Sequence, residues 1–557
     1  MVPLGTVEGG RPGRWREPRA RPPARCDVAG VRAWLPARRS GYQLGMTRAT
    51  ANREREVKFA ADLGFELPDL RQIVGSTKRL PEQSLRTAYF DTADLRLFGR
   101  GITLRHRFGE DERSGKWTLK LPEEAEGTAV ERTELSWSGA PDAPPVEALR
   151  ILAGILRQAT LQRIVVLESV RRRLVLRNDE GGELGEIADD VVTVAKGTHK
   201  GLTFRQIELE FGDGHSPTDS TGYGAEAVVK KIRQAGAHIE RVQKFAKSIG
   251  LDGPPPSDLP ARPGRRATVG DVIGHSIANG YERLLDHDYR LRVEPEDPPA
   301  QAVHQARVAT RRLRSDLKTF SAFLDPVWLR HTTAELRWLG DRLGQVRDAD
   351  VLARRLDTAG TEELRRRLAA QRRDFSAELA EAINGDRYSR LLERLHAGAH
   401  TPPLYVDARK QQKSARTPRA DDPARDVLPA LVRRPWKRVR RRVRRAARNP
   451  SDTQLHRIRI ASKQLRYAAE AAEPVIGKAA RRTARRAKDL QTVLGDHHDA
   501  VTAEEWLQGV ALDGTGSAGF AAGQLACATQ QQQRQLRRIW RSEWATLATP
   551  KSTRWLR

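Results

Sequence analysis

The sequence predicts an α+β protein with two domains, an antiparallel β-sheet domain followed by an all-α helical-bundle domain. Residues 53–212 contain short runs of alternating apolar and polar residues separated by Gly, Pro and Asp, which is typical of antiparallel strands. From about residue 268 the pattern changes to long Arg-, Leu- and Ala-rich segments with helical spacing. An internal repeat within the helical part predicts two related bundles.

Composition divides the chain of 557 residues into segments. The first is rich in Arg, Pro and Gly without periodicity, which predicts disorder. Because Met46 directly precedes the first strand motif, we expect translation to begin there. A later Pro- and Gly-rich stretch predicts a linker. The expected boundaries are 1–45 for the disordered extension, 46–250 for the β-domain, 251–267 for the linker and 268–557 for the helical domain, with repeats at about 268–399 and 428–557.

The net charge of +28 is concentrated in the helical half. Residues 46–250 carry a net charge of +1, whereas residues 251–557 carry +21. Such a field attracts polyanions, which include nucleic acid, anionic membrane surfaces and polyphosphate. An aromatic content of 6% argues against stacking on single-stranded nucleic acid. No apolar run approaches the ~18 residues of a membrane span, and two cysteines fit a reducing compartment. We therefore expect a cytoplasmic protein.

Charged residues alternate along the predicted strands, so that they share one face of each strand. Glu54, Glu56 and Lys58 have the same parity in the first strand. On an open sheet such a face would meet water, but inside a closed barrel the charges must pair or hold a ligand. Cations for phosphate oxygens together with acids for a divalent metal would suit a metal-chelated polyphosphate. The same parity recurs at Arg105, Arg107, Lys120, Arg132, Glu134, Arg171, Arg173, Glu186, Asp190, Glu208 and Glu210.

These motifs resemble the CYTH domain of the triphosphate tunnel metalloenzymes. The resemblance implies an N-terminal antiparallel β-barrel tunnel of about eight strands. It also implies hydrolysis or cyclisation of triphosphates with Mg²⁺ or Mn²⁺ as cofactor. The motifs occur in the family's order across roughly residues 50–250: Glu54-x-Glu56-x-Lys58, Gly101-Ile-Thr-Leu-Arg105-His-Arg107, Thr118-Leu-Lys120 and Ile207-Glu-Leu-Glu210.

The resemblance also implies a role for each matching position. Lys244 is similar to a late lysine of the family, although Gln243 stands where the family has serine. Arg171 and Arg173 remain alternatives for one phosphate-binding position. The implied roles are catalysis for Glu54, Glu56 and Lys58, substrate binding for Arg105, Arg107, Lys120, Arg132, Arg173 and Lys244, and metal binding for Glu134, Asp190, Glu208 and Glu210.

The helical half contains two cationic stripes that correspond through the internal repeat. Steps of three and four residues place each stripe on one helix face. A polar helix face is usually only solvated, but recurrence of the pattern in both repeats favours anion binding. Leu343-Gly-Gln-Val-Arg-Asp348 likewise matches Leu494-Gly-Asp-His-His-Asp499. The predicted polyphosphate-binding residues are His304, Arg307, Arg311, Arg314 and Lys318 in the first repeat, and His456, Arg459, Lys463 and Arg466 in the second.

The repeated motifs resemble the CHAD domain, which is similar to modules that bind inorganic polyphosphate along basic grooves. The two resemblances together imply metal-dependent hydrolysis of inorganic triphosphate, or a related triphosphate, by the barrel. They also imply polyphosphate binding by the helical domain and association with polyphosphate granules. The expected partners are inorganic triphosphate and polyphosphate, without specific nucleic acid and without a membrane. The alternatives are a non-catalytic polyphosphate-binding protein, a nucleic-acid-binding protein and an adenylate cyclase.

Overall fold

The first domain is an antiparallel sheet that curls until its first strand pairs with strands from both ends. The computed structural model describes residues 50–109, 115–122, 130–211, 225–356, 361–405, 418–513 and 517–556. The predicted disordered extension and the expected start at Met46 lie outside these residues. The strands are β1 (Thr50–Ala61), β2 (Ser76–Arg79), β3 (Gln83–Asp91), β4 (Thr103–Phe108), β5 (Lys116–Pro122), β6 (Val130–Ser138), β7 (Gln162–Arg177), β8 (Glu183–Lys196), β9 (Thr203–Phe211) and β10 (His238–Ile239).

Strand pairing closes the sheet around a lumen. The order is β1-β6-β5-β4-β3-β7-β8-β9, and β1 also pairs with β9. Glu56 marks the closure, since its backbone lies opposite Val130 of β6 and Glu210 of β9. Short β2 pairs with β7, and β10 pairs with the second half of β1. The predicted antiparallel β-domain is thus confirmed.

Helices cover the outer face of this sheet and thereby decide which strand residues face the lumen. Helix α1 (Val146–Leu156) packs on Trp117 and Leu135 through its apolar side. Helix α2 (Ala225–Gln234) packs on Val57 and Ile207. Because strand side chains alternate, the neighbours of these core residues project into the lumen. The short helix α3 (Lys244–Ser248) follows β10.

The second half is an all-α domain, as predicted. Capping boxes at Thr268 and Ser451 begin α4 in the first repeat and α10 in the second. In the part of the chain that the structure describes, no helix is both long and apolar enough to cross a membrane. The helices are α4 (Val269–Val293), α5 (Ala300–Thr319), α6 (Pro326–Ala353), α7 (Glu362–Asn384), α8 (Asp386–His400), α9 (Ala424–Arg445), α10 (Asp452–Ile476), α11 (Lys478–Asp513), α12 (Ser517–Leu547) and α13 (Pro550–Thr553).

The two domains meet where α1 packs on α4. Gly154 of α1 lies so close to α4 that a Cβ atom at this position would overlap the Asp288 carboxylate. Asp288 is fully buried and accepts hydrogen bonds from Arg292 Nε and from the Tyr388 hydroxyl, each at 2.8 Å. Tyr289 packs in the apolar cluster under α1. At this contact Gly154 of the first domain lies against Asp288 of the second, whose carboxylate is fully hydrogen-bonded within its own domain.

Candidate active site and basic cleft

Three carboxylates from adjoining strands converge in the lumen. Glu56 of β1 lies opposite Glu210 of β9 in register, and Lys58 lies opposite Glu208. One oxygen of Glu56, Glu208 and Glu210 each lies within 4.8 Å of the others. Glu56 and Glu208 are only 2% and 8% exposed. Carboxylates held this close repel one another, so the cluster requires nearby cations.

Lysines supply that positive charge. Lys58 Nζ lies 2.8 Å from Glu56 Oε1, and Lys244 Nζ lies 2.8 Å from Glu208 Oε2. Burial raises the pKa of Glu56, but the attraction of Lys58 and Lys120 and the hydrogen bond from Lys58 together outweigh burial and leave the pKa lowered. The pKa of Glu208 likewise falls well below its usual value, because Lys244 and Lys58 outweigh burial. In contrast, burial and the charge of Glu208 raise the pKa of Glu210. The cluster therefore combines two ionised carboxylates with one that retains a proton more readily.

Other predicted lumen residues form ion pairs around this cluster. Arg171 donates two hydrogen bonds of 2.8 Å to Asp190, and Lys244 also contacts Asp190. Burial raises the pKa of Asp190, but Lys244 and Arg171 lower it to about 2. Lys120 Nζ lies 3.1 Å from Glu134 Oε2. Asp190 and Glu134, which the resemblance assigns to metal binding, thus pair with cations outside the acid cluster. The acid cluster itself consists of Glu56, Glu208 and Glu210.

Arg171 and Arg173 have different surroundings in the structure. Arg171 Nη2 lies 3.5 Å from Glu208 Oε2 and its side chain is 11% exposed. Arg173 pairs with Glu186 at 2.6 and 2.7 Å, and its side chain is 32% exposed. Arg171 is therefore the arginine next to the acid cluster. For Glu54 only the strand pairing with Arg132 is described.

Helix α3 lies against one end of the lumen. Phe245 packs against Tyr89 and Phe98, with ring centroids 5.2 and 5.1 Å apart. Burial raises the pKa of Tyr89, but Arg105 and Arg107 outweigh burial and lower it. Apolar rings thus cover the site beside the lumen cations. A small cavity next to Phe245 is lined by the predicted residues Lys58, Arg105, Lys120, Arg132, Glu208 and Lys244.

A second concave site lies between the two repeats of the helical domain. This basic cleft encloses about 430 Å³ between α5, α6, α10 and α11. Arg347 of α6 and Arg354, directly after α6, also line it. Sequence analysis missed both, although Arg347 lies within the repeated Leu343-to-Asp348 motif. The predicted residues that line the basic cleft are His304, Arg307, Arg311, Arg314, Arg459 and Lys463.

The basic cleft has corresponding contacts on its two sides. Arg307 Nη1 lies 2.8 Å from Asp348 Oδ1, and Arg459 Nη2 lies 3.6 Å from Asp499 Oδ1. Each arginine also lies against a glycine of the repeated motif, Arg307 against Gly344 and Arg459 against Gly495. These pairs occupy matching positions in the two halves of the internal repeat.

Mutual repulsion among the cleft cations shifts their pKa values. Burial and the nearby Arg311 and Arg459 lower the pKa of Lys463 to about 6. Burial and Arg347 lower the pKa of His304 to about 4. Such shifts mean that the acids of the cleft do not neutralise its positive charge. A bound polyanion would relieve this repulsion.

Other predicted stripe residues make different contacts. His456 Nδ1 lies 3.3 Å from His498 Nδ1, next to the basic cleft. Arg466 Nε donates to Glu470 at 2.7 Å. Burial and Arg438 of α9 lower the pKa of Lys318, which places this lysine near α9. The first stripe thus contributes its residues from His304 to Arg314 to the cleft, and the second contributes Arg459 and Lys463.

Family models match both halves of the chain. The CYTH domain matches residues 52–226 and the CHAD domain matches residues 275–508. The chain belongs to the family of proteins in which a CYTH domain precedes a CHAD domain. The CYTH domain suggests the triphosphate tunnel metalloenzyme family, and CYTH proteins are metal-dependent.

Individual relatives cover both halves or one of them. "Uncharacterized protein Rv2226" of Mycobacterium tuberculosis is 31% identical over 491 residues, which are 80% of this chain and 86% of that protein. The CHAD domain from the plant Ricinus communis is 25% identical, with a TM-score of 0.41, and covers 52% of this chain and 94% of its own. A putative adenylate cyclase from Bacillus halodurans is 19% identical, with a TM-score of 0.25, and covers 35% and 97%.

Proposed function

We propose that the barrel hydrolyses inorganic triphosphate, or a related triphosphate, with Mg²⁺ or Mn²⁺, and that the helical domain binds polyphosphate. The observation that supports hydrolysis is the acid cluster of Glu56, Glu208 and Glu210 beside lysines inside a closed lumen. Phosphoryl transfer needs in-line positioning and neutralisation of charge more than covalent participation by the protein. This arrangement of charges can meet both requirements.

The acid cluster suits a hard divalent cation. Carboxylate oxygens are the protein ligands that Mg²⁺ and Mn²⁺ prefer, and one oxygen from each of Glu56, Glu208 and Glu210 lies within 4.8 Å of the others. These three residues would hold the metal, which when bound neutralises charge on the phosphate oxygens.

The lumen cations would exchange partners when substrate and metal bind. Lys58 and Lys244 contact the acid cluster in this structure. With the carboxylates directed to a metal, both ammonium groups become available to phosphate oxygens. The Arg171 guanidinium presents a planar fork that suits two phosphate oxygens. The packed rings of Phe245 and Tyr89, at the end of the lumen next to α3, would restrict the access of water from that end.

The basic cleft would hold polyphosphate along its cationic surface. Its arginines bind phosphate oxygens without sequence or base specificity, and their number favours a repeated anion over a single one. This binding would bring polyphosphate to the protein and associate the protein with polyphosphate granules. Long-chain polyphosphate should therefore displace DNA or RNA from the protein at equal phosphate concentration.

The deciding assay measures phosphate release from tripolyphosphate with Mg²⁺ by the full chain. Glu208→Gln should lower kcat by at least about 100-fold, because it removes one carboxylate of the acid cluster. Glu168→Gln is the matched control, since Glu168 is an exposed glutamate of β7. Equal rates in the wild type and Glu208→Gln would reject hydrolysis in the lumen. Binding of tripolyphosphate without turnover would leave a polyphosphate-binding protein, and a cyclic product from ATP would indicate a cyclase.

A further inference from the structure

Two histidines and an aspartate converge outside the tunnel, where the linker meets α8. His396 and His400 are four residues apart in α8 and therefore share one face of the helix. Asp258 reaches them from the linker. His396 Nε2 lies 3.1 Å from Asp258 Oδ2, and His400 Nε2 lies 3.3 Å from the same oxygen. The two Nε2 atoms are 3.2 Å apart. The three atoms therefore form a nearly equilateral triangle.

Hydrogen bonds can account for at most two sides of this triangle. Each Nε2 carries at most one proton, and a carboxylate at neutral pH carries none. If both histidines donate to Asp258, their two nitrogens lie 3.2 Å apart with no hydrogen bond between them. If His396 instead donates to His400, the His400 nitrogen has no proton for the carboxylate. At most two of the three sides can be hydrogen bonds.

One tetrahedral metal ion bound to all three atoms would account for the three distances together. With metal–ligand bonds of about 2.0–2.1 Å, neighbouring ligand atoms of a tetrahedral zinc site lie about 3.3–3.4 Å apart. The observed sides of 3.1, 3.3 and 3.2 Å are close to this value. We propose that Asp258, His396 and His400 bind one Zn²⁺ ion, with water in the fourth position.

Contacts on both sides of Asp258 hold the linker at this place. Ser257 Oγ donates to Glu282 Oε1 of α4 at 3.0 Å. Leu259 is buried in the core of the helical domain. The carbonyl oxygen of Pro260 lies 3.3 Å from His275 Nδ1. The aspartate is therefore positioned before metal binding, which lowers the entropy cost of forming the site.

The ring of His396 is held in place by its neighbours. It packs edge-on against Tyr281, with centroids 5.7 Å apart, which fixes its orientation. Asp258 and His400 are partly exposed, and they leave a path for the ion from solvent.

The ion would tie the linker to the last turn of α8. Asp258 and His396 also line a cavity of about 630 Å³ between the barrel and the helical domain, together with Arg96 and Arg290. A zinc ion at this edge would fix the path of the linker and thereby restrict motion between the two domains. This role is separate from hydrolysis in the lumen and does not depend on it.

The test measures zinc bound to the untagged full chain after chelator treatment and dialysis against micromolar ZnCl₂. All variants carry Glu208→Gln, which removes a carboxylate from the tunnel cluster. We expect one zinc per chain in this background and in its His331→Ala derivative, because His331 is an exposed histidine of α6 outside the cluster. His400→Ala and Asp258→Asn should each weaken zinc binding by at least about tenfold.

Cobalt provides an independent measurement. Co²⁺ should give the strong visible absorption of a tetrahedral site in the Glu208→Gln background and lose it in Glu208→Gln/His400→Ala. Zinc retained at unchanged affinity in both ligand variants would overturn the proposal. The same holds for an absence of stoichiometric zinc in the parent protein. Circular dichroism confirms folding, and since Asp258 and His400 are exposed, their replacement should not unfold the chain.

Discussion

At pH 7.5 the Lys463 side chain in the basic cleft is largely uncharged. Burial and the nearby Arg311 and Arg459 lower its pKa to about 6, so only about 3% of the protein carries this proton. Polyphosphate brings negative charge into the cleft and favours the protonated lysine. If binding restores a pKa near the usual value of ~10.4, about one proton is taken up for each cleft that fills.

This uptake determines how affinity depends on pH. The bound state holds the proton more tightly than the free state, so binding is strengthened at low pH. Between pH 6 and the pKa of the bound state, affinity should fall by about tenfold per pH unit. His304, whose pKa is about 4 in the free protein, adds little at pH 7.5, because a usual histidine pKa of ~6.5 still lies below that pH.

The assay is isothermal titration calorimetry of the full chain with long-chain polyphosphate, with EDTA present to prevent turnover. Runs at pH 7.5 in buffers with different ionisation enthalpies give the number of protons taken up. Lys463→Arg is the matched control, because a guanidinium stays charged at every accessible pH. It should bind polyphosphate without proton uptake. A buffer-independent heat in the wild type, or equal uptake in Lys463→Arg, would refute the reasoning.

Three further predictions concern charges in both domains. Arg307→Gln and Arg459→Gln should each lower the slope of log affinity against log salt by about 0.7, measured by anisotropy titration with labelled polyphosphate. Arg171→Met should reduce phosphate release from tripolyphosphate about tenfold more than Arg173→Met, because Arg171 lies next to the acid cluster. Similar losses in the two variants would contradict this assignment. Burial raises the pKa of Asp316 to about 7, so its ionisation destabilises the fold as pH rises from about 4 to 7. Asp316→Asn should therefore raise the melting temperature at pH 8 by about 2–4 °C and not at pH 4.

The sequence predicted the lumen face well because strand periodicity is a local property. Val57 packs on the outer core, so Glu56 and Lys58 must project to the opposite side. Sequence could not predict which charges pair, since this depends on register between strands that are distant along the chain. Arg171 lies opposite Asp190, whereas Arg173 lies opposite Ala188 and reaches Glu186. Only the structure could therefore show which of the two arginines lies next to the acid cluster.

The helical half shows the same division between local and tertiary information. The internal repeat correctly paired Arg307 with Arg459, because both positions make the same contact with a carboxylate of the second motif. Arg354 was missed since it belongs to neither repeated stripe. Composition predicted a linker, but Pro and Gly content describes backbone preference and not tertiary contact. It gave no indication that Leu259 is buried in the helical core.

The close packing of Gly154 on α4 limits how this protein can be dissected. A cut between residues 251 and 267 would strip α1 of its partner and expose Tyr289 with the apolar cluster around it. Freed halves of this kind tend to aggregate or to associate with each other through the uncovered surface. Rates measured on fragments would then reflect that association, so kinetic work on either half should begin with the intact polypeptide.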